Sequence, residues 1–246
     1  MTTAVRFPGD RSLLVVAHPD DEILWFGSIV NEVEKIVICF LNDPSNPDMA
    51  AAREAVIAEH PLRNRIVCLR VDETCTFNQA NWPMPETTKY GLKITRSRPG
   101  ASAYKACYRQ LQRELKPLID AASSVITHNP WGEYGHEEHV LVHRVVTSLA
   151  KTAGKDCWYD NYASSWSEDL MRQYLDKSER EVISGGVNAE AMERIADVYR
   201  AHGAWTWFDD YRWFGEEFFV RGPLQRNEKP GFGWLFPVNM LRLKDR

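Results

Sequence analysis

The sequence predicts an α/β protein, built on a Rossmann-like, doubly wound and mostly parallel sheet with helices on both faces. Two observations support this prediction: apolar runs of strand length alternate with helical segments, and a polar cluster follows two of the apolar runs. Ligands of such sheets bind outside the carboxyl ends of the strands. In the usual strand order, strands one and four are neighbours, so side chains that follow them are expected to meet at one edge.

The predicted strands are short runs rich in Val, Ile and Leu, separated by helical segments or by loops with Pro, Asn and Asp. They cover residues 12–17, 36–41, 65–71 and about 124–128, with a fifth strand that starts at Cys157. The predicted helices cover residues 23–35, 49–59, 103–121, about 136–152 and 189–201.

Residues 72–102 are a long segment that is predicted to be a loop. A loop of this length in a compact domain is usually functional or disordered, and it is interpreted as a substrate rim at the edge that carries the polar clusters. Its basic residues could contact a phosphate or diphosphate group of a substrate, and they are Lys89, Lys93, Arg96 and Arg98. The alternative is a solvated, charged loop.

Length and composition limit the classes of protein that the chain can belong to. Residues 1–246 are expected to form one domain, in which roughly 190–246 form an aromatic-rich C-terminal cap. A formal charge of -4 and a pI near 6.0 argue against a nucleic-acid partner. No apolar run reaches the length of a transmembrane segment. Five cysteines without a C-x-x-C pair favour a cytoplasmic location, and a homo-oligomer is left open.

The first polar cluster lies at the turn from strand one into the first helix and reads Ala17-His18-Pro19-Asp20-Asp21-Glu22. A tight turn can direct His18 and Asp21 at one point, and imidazole with carboxylate is a zinc-type ligand pair. Asp20 then faces the same space as a free carboxylate, which could act as a general base. The alternative interpretation is an Asp-rich helix N-terminus.

The second polar cluster follows strand four and extends from Thr127 to His139. His136 and His139 are three positions apart at the start of a predicted helix, so they lie on one face. His128 ends the strand and is expected to line the pocket. Two such clusters in one chain argue for a metal centre built from both.

Together, the motifs A-H-P-D-D-E and Y-G-H-x-x-H resemble the LmbE-like (PIG-L) zinc-dependent de-N-acetylases, which include phosphatidylinositol-GlcNAc, mycothiol-pathway and bacillithiol-pathway deacetylases. The resemblance extends to about residue 160. It implies that His18, Asp21 and His139 bind one Zn²⁺, with Fe²⁺ as another divalent ion that could serve. It also implies that Asp20 is the general base and that His136 polarises the carbonyl or protonates the leaving group.

The resemblance implies roles for further residues. Tyr134 matches a tyrosine that assists at the oxyanion, and Arg53 falls where family members carry an arginine near the substrate, although an exposed helix charge is the alternative. Trp25 stands where the family usually has a small Gly-Gly-Thr turn, so it is expected at the floor of the substrate pocket. A second departure replaces the usual H-P-D-H by His-Glu137-Glu138-His, in which the Glu138 carboxylate could still orient a neighbouring histidine.

The resemblance therefore implies a zinc-dependent hydrolase that removes an N-acetyl or N-acyl group from an amino-sugar substrate, which could be linked to a lipid or a nucleotide. A zinc peptidase is disfavoured because H-E-x-x-H is absent, and a dinucleotide-binding protein because G-x-G-x-x-G does not follow strand one. A sugar-binding or regulatory protein with a degenerate site, or a hydrolase of another amide, remains as the alternative.

Overall fold

The computed structural model describes residues 11–174, 181–223 and 237–243 of the chain. The strands are β1 (Ser12–Val16), β2 (Lys35–Asn42), β3 (Ile66–Asp72), β4 (Thr87–Thr88), β5 (Gly91–Leu92), β6 (Ser124–Thr127), β7 (Asp156–Asp160), β8 (Tyr162–Ser164), β9 (Val182–Gly186), β10 (Glu216–Arg221) and β11 (Asn239–Leu241). The helices are α1 (Asp21–Leu24), α2 (Pro47–Glu59), α3 (Arg98–Ala121), α4 (Glu137–Ala153), α5 (Glu168–Tyr174) and α6 (Ala189–Ala201).

Seven of these strands form one central sheet in the order β3-β2-β1-β6-β7-β10-β9. The first five strands are parallel, whereas β10 is antiparallel to both β7 and β9. Counted along the chain, the parallel strands have the 3-2-1-4-5 order of a doubly wound α/β fold. The predicted fold class is therefore confirmed.

Helices cover both faces of this sheet. Successive residues of a strand point to opposite sides, so the apolar strands present side chains to be buried on both faces. Leu13 and Val15 of β1 belong to the core that contains the buried side chains of α3 and α4. Leu14 and Val16 belong to the opposite core, which contains buried side chains of α1, α2 and α6.

The strand order reverses at β1, which pairs with β2 on one side and with β6 on the other. The register places Val15 opposite Thr127, so the residues that follow the two strands leave the sheet side by side. Here the Ala17 amide donates a hydrogen bond to His128 Nε2 at 2.8 Å. The prediction that strands one and four are neighbours is confirmed, with β6 as the fourth predicted strand.

The first helix is shorter than predicted. α1 ends at Leu24, and turns rather than a helix lead from there to β2. The amides of Gly27 and Ser28 donate to the carboxylate of Glu217 at 3.2 and 2.8 Å instead of continuing a helical ladder. Because Glu217 comes from β10, this end of the helix depends on a contact that is distant in sequence.

The predicted loop at 72–102 has more structure than expected. It contains the β4–β5 pair, and α3 already begins at Arg98. This start is capped by Ser97, whose Oγ accepts a hydrogen bond from the Gly100 amide at 3.1 Å.

One strand of the expected C-terminal cap, β10, belongs to the central sheet, whereas β11 pairs with β8 in a separate two-stranded sheet. β10 joins the central sheet because Phe219 and Val220 are both fully buried, one in each core. Residues 224–236 and 244–246 of the expected cap lie outside the described residues. In the part of the chain that the structure describes, no helix is long and apolar enough to span a bilayer.

Candidate metal centre

The first half of the centre is the turn between β1 and α1. The His18 amide donates to Asp21 Oδ2 at 2.7 Å, and the Asp20 amide donates to Glu22 Oε2 at 3.0 Å. Asp20 adopts the left-handed backbone region, with φ 88°, which is uncommon for a residue other than glycine and is concentrated at functional sites. The turn thus places His18, Asp20 and Asp21 on one side of the chain.

The second half is the loop between β6 and α4. Gly132 and Gly135 have positive φ angles of 67° and 94°, and a Cβ at Gly132 would lie 2.5 Å from the His136 carbonyl oxygen. The loop therefore needs glycine at Gly132 to bring the chain back to the start of α4. His136 is the N-cap of that helix, since its Nδ1 accepts a hydrogen bond from the Glu138 amide at 3.2 Å.

The side chains of His18, Asp21 and His139 converge at the edge where the two halves meet. His18 Nδ1 lies 3.3 Å from His139 Nε2 and 3.4 Å from Asp21 Oδ2, and His139 Nε2 lies 3.4 Å from Asp21 Oδ1. Nitrogen and oxygen ligands at about 2.1 Å from a tetrahedral ion are separated by about 3.4 Å. The two nitrogens and the two Asp21 oxygens thus have the spacing of ligands around one divalent cation, with a different Asp21 oxygen beside each histidine.

A carboxylate lies behind each of the two histidines. His18 Nε2 lies 2.9 Å from Glu138 Oε2, and His139 Nδ1 contacts Glu133 Oε2. Such carboxylates fix the orientation of the imidazole rings so that the opposite nitrogens face the metal. Burial lowers the pKa of His18, but its hydrogen bonds to Asp21 and Glu138 raise it well above the usual value. The site therefore concentrates negative charge that a cation would balance.

Two other histidines lie close enough to belong to candidate metal groups, namely His128 beside Asp21 and His139, and His136 beside His18 and His139. His128 is unsuited to bind the ion because its Nε2 accepts the Ala17 amide and its Nδ1 lies 3.2 Å from Glu133 Oε1. The Nδ1 of His136 is occupied by the helix cap, which leaves its Nε2 for another partner.

Asp20 lies next to the three converging side chains and lines the same cavity. Its Oδ2 accepts hydrogen bonds from the Oγ1 and the amide of Thr206 at 2.7 and 3.2 Å. Burial and the neighbouring charge of Asp21 raise the pKa of Asp20 well above its usual value, against the effect of the Thr206 hydrogen bond. A raised pKa suits a carboxylate that accepts and returns a proton.

His136 and Tyr134 also line this cavity. Burial and the nearby rings of His139 and His18 lower the pKa of His136 well below its usual value. A neutral ring whose Nδ1 accepts a hydrogen bond carries its proton on Nε2. His136 is thus a hydrogen-bond donor, and its ring stacks on Phe77 at a centroid distance of 4.7 Å.

The three predicted substrate contacts differ in their placement. Arg53 lines the cavity, where its Nη1 binds Glu73 Oε1 at 2.5 Å and its Nε has no hydrogen-bond partner among the described residues. Trp25 and His128 are fully buried, and neither lines the cavity. Trp25 supports Asp21, since its Nε1 donates to Asp21 Oδ1 at 2.9 Å, whereas His128 accepts the Ala17 amide at Nε2.

The cavity above the centre has a volume of about 610 Å³. Aromatic side chains from two segments form its rim: Phe77 from the 72–102 segment, and Trp207 and Phe208 from the segment after α6. The basic residues predicted to meet a phosphate do not line it, and Lys93 is paired with Glu86 at 2.9 Å.

The two glutamates that depart from the family pattern hold the 72–102 segment against the centre. Glu137 accepts hydrogen bonds from the amides of Asn78 and Ala80 and from Trp82 Nε1 at 2.9 to 3.1 Å. Glu138 Oε1 accepts a hydrogen bond from Thr74 Oγ1 at 2.6 Å while its Oε2 holds His18. The two glutamates therefore hold the 72–102 segment in place, and Glu138 also orients His18.

Sequence reasoning missed Glu133, Thr206 and Glu217. Glu133 belongs to the second cluster, six positions before His139. No rule of sequence spacing predicts that its carboxylate contacts the Nδ1 atom of His139. Thr206 and Glu217 carry no local signal, because their contacts to Asp20 and Ser28 span more than 180 positions.

Comparison with known proteins relates the chain to deacetylases. The model of the PIG-L family, described as GlcNAc-PI de-N-acetylase, matches residues 13–150. A 1D-myo-inositol 2-acetamido-2-deoxy-alpha-D-glucopyranoside deacetylase of Actinosynnema mirum is 29% identical over 76% of the chain and 66% of its own length. A deacetylase of the same description from Catenulispora acidiphila is 24% identical over 73% of the chain and 59% of its own length. The chain thus spans about three fifths to two thirds of these relatives.

Solved structures share the fold. The zinc-inhibited form of a teicoplanin deacetylase has a TM-score of 0.55 at 10% identity, and covers 89% of the chain and 99% of its own. The deacetylase of the A40926 pseudoaglycone has a TM-score of 0.53 at 12% identity with the same coverage. At this identity the likeness concerns the fold alone.

Proposed function

The chain belongs to the PIG-L family, and from this premise we propose that it is a metal-dependent hydrolase that removes the N-acetyl group of an amino sugar. The curated relatives are named for deacetylation of a 2-acetamido-2-deoxyglucopyranoside. For this chain we propose the same class of substrate, an N-acetylated amino sugar, with acetate and a free amine as products.

One observation carries the proposal. His18 Nδ1 and His139 Nε2 lie 3.3 Å apart, each lies 3.4 Å from one oxygen of Asp21, and the buried carboxylate of Asp20 opens into the same cavity. A catalytic zinc site has three protein ligands and an open position, with a free carboxylate as general base. The degenerate-site alternative is disfavoured because Glu137 and Glu138, where the chain departs from the family, both make supporting hydrogen bonds.

We propose His18, Asp21 and His139 as the ligands of the ion, with Zn²⁺ as the first candidate. Bound there, a divalent cation supplies Lewis-acid activation of water and of the amide carbonyl. Because one relative in fold is described in a zinc-inhibited form, Fe²⁺ and other divalent ions belong in the same test.

The residues of the chain then divide the proton transfers. Asp20 accepts a proton from the attacking water as the oxygen bonds to the acetyl carbon. His136 donates a hydrogen bond from Nε2 to the developing oxyanion, and Tyr134 faces the same position. The carbon–nitrogen bond then breaks, and the nitrogen leaves as an amine after it receives a proton from Asp20 or from His136.

The proposal is tested by acetate release from a panel of N-acetylated amino sugars, with and without a chelator and after reconstitution with single divalent ions. The wild-type chain should release acetate, and chelation should abolish the release. Asp20→Asn should bind metal normally and lose about a hundredfold or more in kcat, since general base catalysis contributes about 10² to 10⁴. Full activity of Asp20→Asn would refute its role.

A cytoplasmic location is proposed on separate grounds. All five cysteines are free in the structure, which supports a reducing compartment. Fractionation of cells that express the chain would test this location.

A further inference from the structure

A segment beyond the family match covers the turn that carries Asp20. Trp213 Nε1 donates to the Ile23 carbonyl oxygen at 2.6 Å, and the Tyr211 hydroxyl donates to the Leu24 carbonyl oxygen at 3.2 Å. These contacts attach residues 205–214 to α1 next to the metal centre. The family match ends at residue 150, so this segment is an addition to the matched part of the site.

Thr206 is the residue of this segment that touches the catalytic machinery. Its Oγ1 and its amide both donate to one oxygen of Asp20, Oδ2, at 2.7 and 3.2 Å. The same residue lines the cavity, and its neighbours Trp207 and Phe208 form the rim.

The geometry matters because the end of an aspartate side chain rotates easily. The torsion that turns a carboxylate is broad and has no sharp staggered minima. Two donors on Oδ2 restrict the rotation of the carboxylate and occupy one of its two oxygens. The left-handed backbone of Asp20, φ 88°, gives this side chain an unusual direction that a local cap does not restrain.

We propose that Thr206 is a positioning residue that holds the Asp20 carboxylate with Oδ1 directed at the reacting water. The inference rests on the proposed hydrolytic function of the same site. It extends the catalytic apparatus to a segment outside the matched residues 13–150.

The test compares Thr206→Val, which removes the hydroxyl donor at constant shape, with Thr206→Ser, which keeps it. Thr206→Val should lower kcat about tenfold to a hundredfold, as small misplacements of a reacting group do, while KM and metal content stay near wild type. Thr206→Ser should restore most of the kcat. Thr147→Val is the matched control, because Thr147 is a partly buried threonine whose hydroxyl lies 3.1 Å from Tyr159 Oη, away from the cavity.

A double-mutant cycle separates positioning from a general structural effect. In the Asp20→Asn background, Thr206→Val should cause no further loss of kcat, because the group that it positions no longer accepts the proton. An equal further loss in that background, or a wild-type kcat for Thr206→Val alone, would overturn the proposal and leave the hydrolytic function intact. If Thr206→Val fails to fold, Thr206→Ala serves in the same cycle.

A structural measurement tests the proposal even if none of the assayed substrates is hydrolysed. Crystal structures of the metal-loaded wild-type chain and of Thr206→Val should differ in the orientation of the Asp20 carboxylate. An unchanged carboxylate in the variant would overturn the proposal whatever the activity, whereas a wild-type chain that releases no acetate would overturn only the proposed function.

Discussion

Replacement of Glu133 by glutamine should weaken metal binding, although Glu133 is not itself a proposed ligand. Glu133 is fully buried, and its two oxygens serve two rings: Oε1 lies 3.2 Å from His128 Nδ1, and Oε2 contacts His139 Nδ1. Both rings use Nδ1 as the donor, because Nε2 of His128 accepts the Ala17 amide and Nε2 of His139 faces the metal position. A glutamine offers one oxygen and one NH₂ group, so it can accept from only one of the two rings.

The size of the effect follows from the number of hydrogen bonds that a glutamine at this position can accept. The second ring would face an NH₂ donor, and a buried donor left without an acceptor costs about 1 to 3 kcal/mol. Loss of a carboxylate behind a metal-bound histidine lowers metal affinity about 10- to 100-fold, which is about 1.4 to 2.7 kcal/mol. The unpaired donor destabilises the fold with or without the ion, whereas loss of the carboxylate acts on metal affinity, so we expect the Kd for Zn²⁺ to rise by about one to two powers of ten.

Competition with a chromogenic chelator measures this Kd directly. The matched control is Glu217→Gln, since Glu217 is also fully buried but binds Gly27, Ser28 and Tyr162 rather than a presumed ligand. Glu217→Gln should lower the Tm and leave the Kd for Zn²⁺ near wild type. If Glu133→Gln folds and its Kd stays within about twofold of wild type, the carboxylate does not orient His139 and the reasoning fails.

Three further predictions concern the ligands and the rim. His139→Ala should lose the metal itself, measured as metal content after gel filtration, and normal content would remove it from the ligand set. Glu137→Gln should loosen the rim, because one amide oxygen cannot replace a carboxylate that accepts three N–H groups. We expect KM to rise at constant metal content, and an unchanged KM would contradict this prediction. The triple change of Lys93, Arg96 and Arg98 to alanine should leave KM the same for neutral and phosphorylated amino sugars, because none of the three lines the cavity; a KM raised for phosphorylated substrates alone would restore their predicted role.

The parts of the fold that could be predicted are those set by local pattern. Apolar runs of strand length and helical spacing are local properties, and the parallel strand order followed from the doubly wound rule. Because β1 and β6 are adjacent in the sheet, His18 and His139 lie close together although 121 positions separate them in the sequence. This convergence needed no knowledge of any contact beyond the sheet.

The parts that could not be predicted depend on contacts without a local signature. After the end of α1 the Ser28 amide binds the carboxylate of Glu217, and Thr206 binds the carboxylate of Asp20. The contact of Trp25 with Asp21 could not be predicted for a related reason: the position of Trp25 in the motif suggested a pocket floor, whereas its indole is buried and its N–H binds Asp21. A large aromatic side chain next to a charged ligand can serve the ligand from behind as well as the substrate from the front.

The division of labour along the chain has a consequence for substrate choice. The matched residues 13–150 include the three proposed ligands, Asp20 and His136, and the proposed amide hydrolysis requires that these keep a narrow geometry. Trp207 and Phe208 come from later in the chain, outside the matched residues, and line the cavity above the centre. Because Thr206 ties this same segment to Asp20, we expect a change of the rim in this chain to shift the Asp20 carboxylate as well.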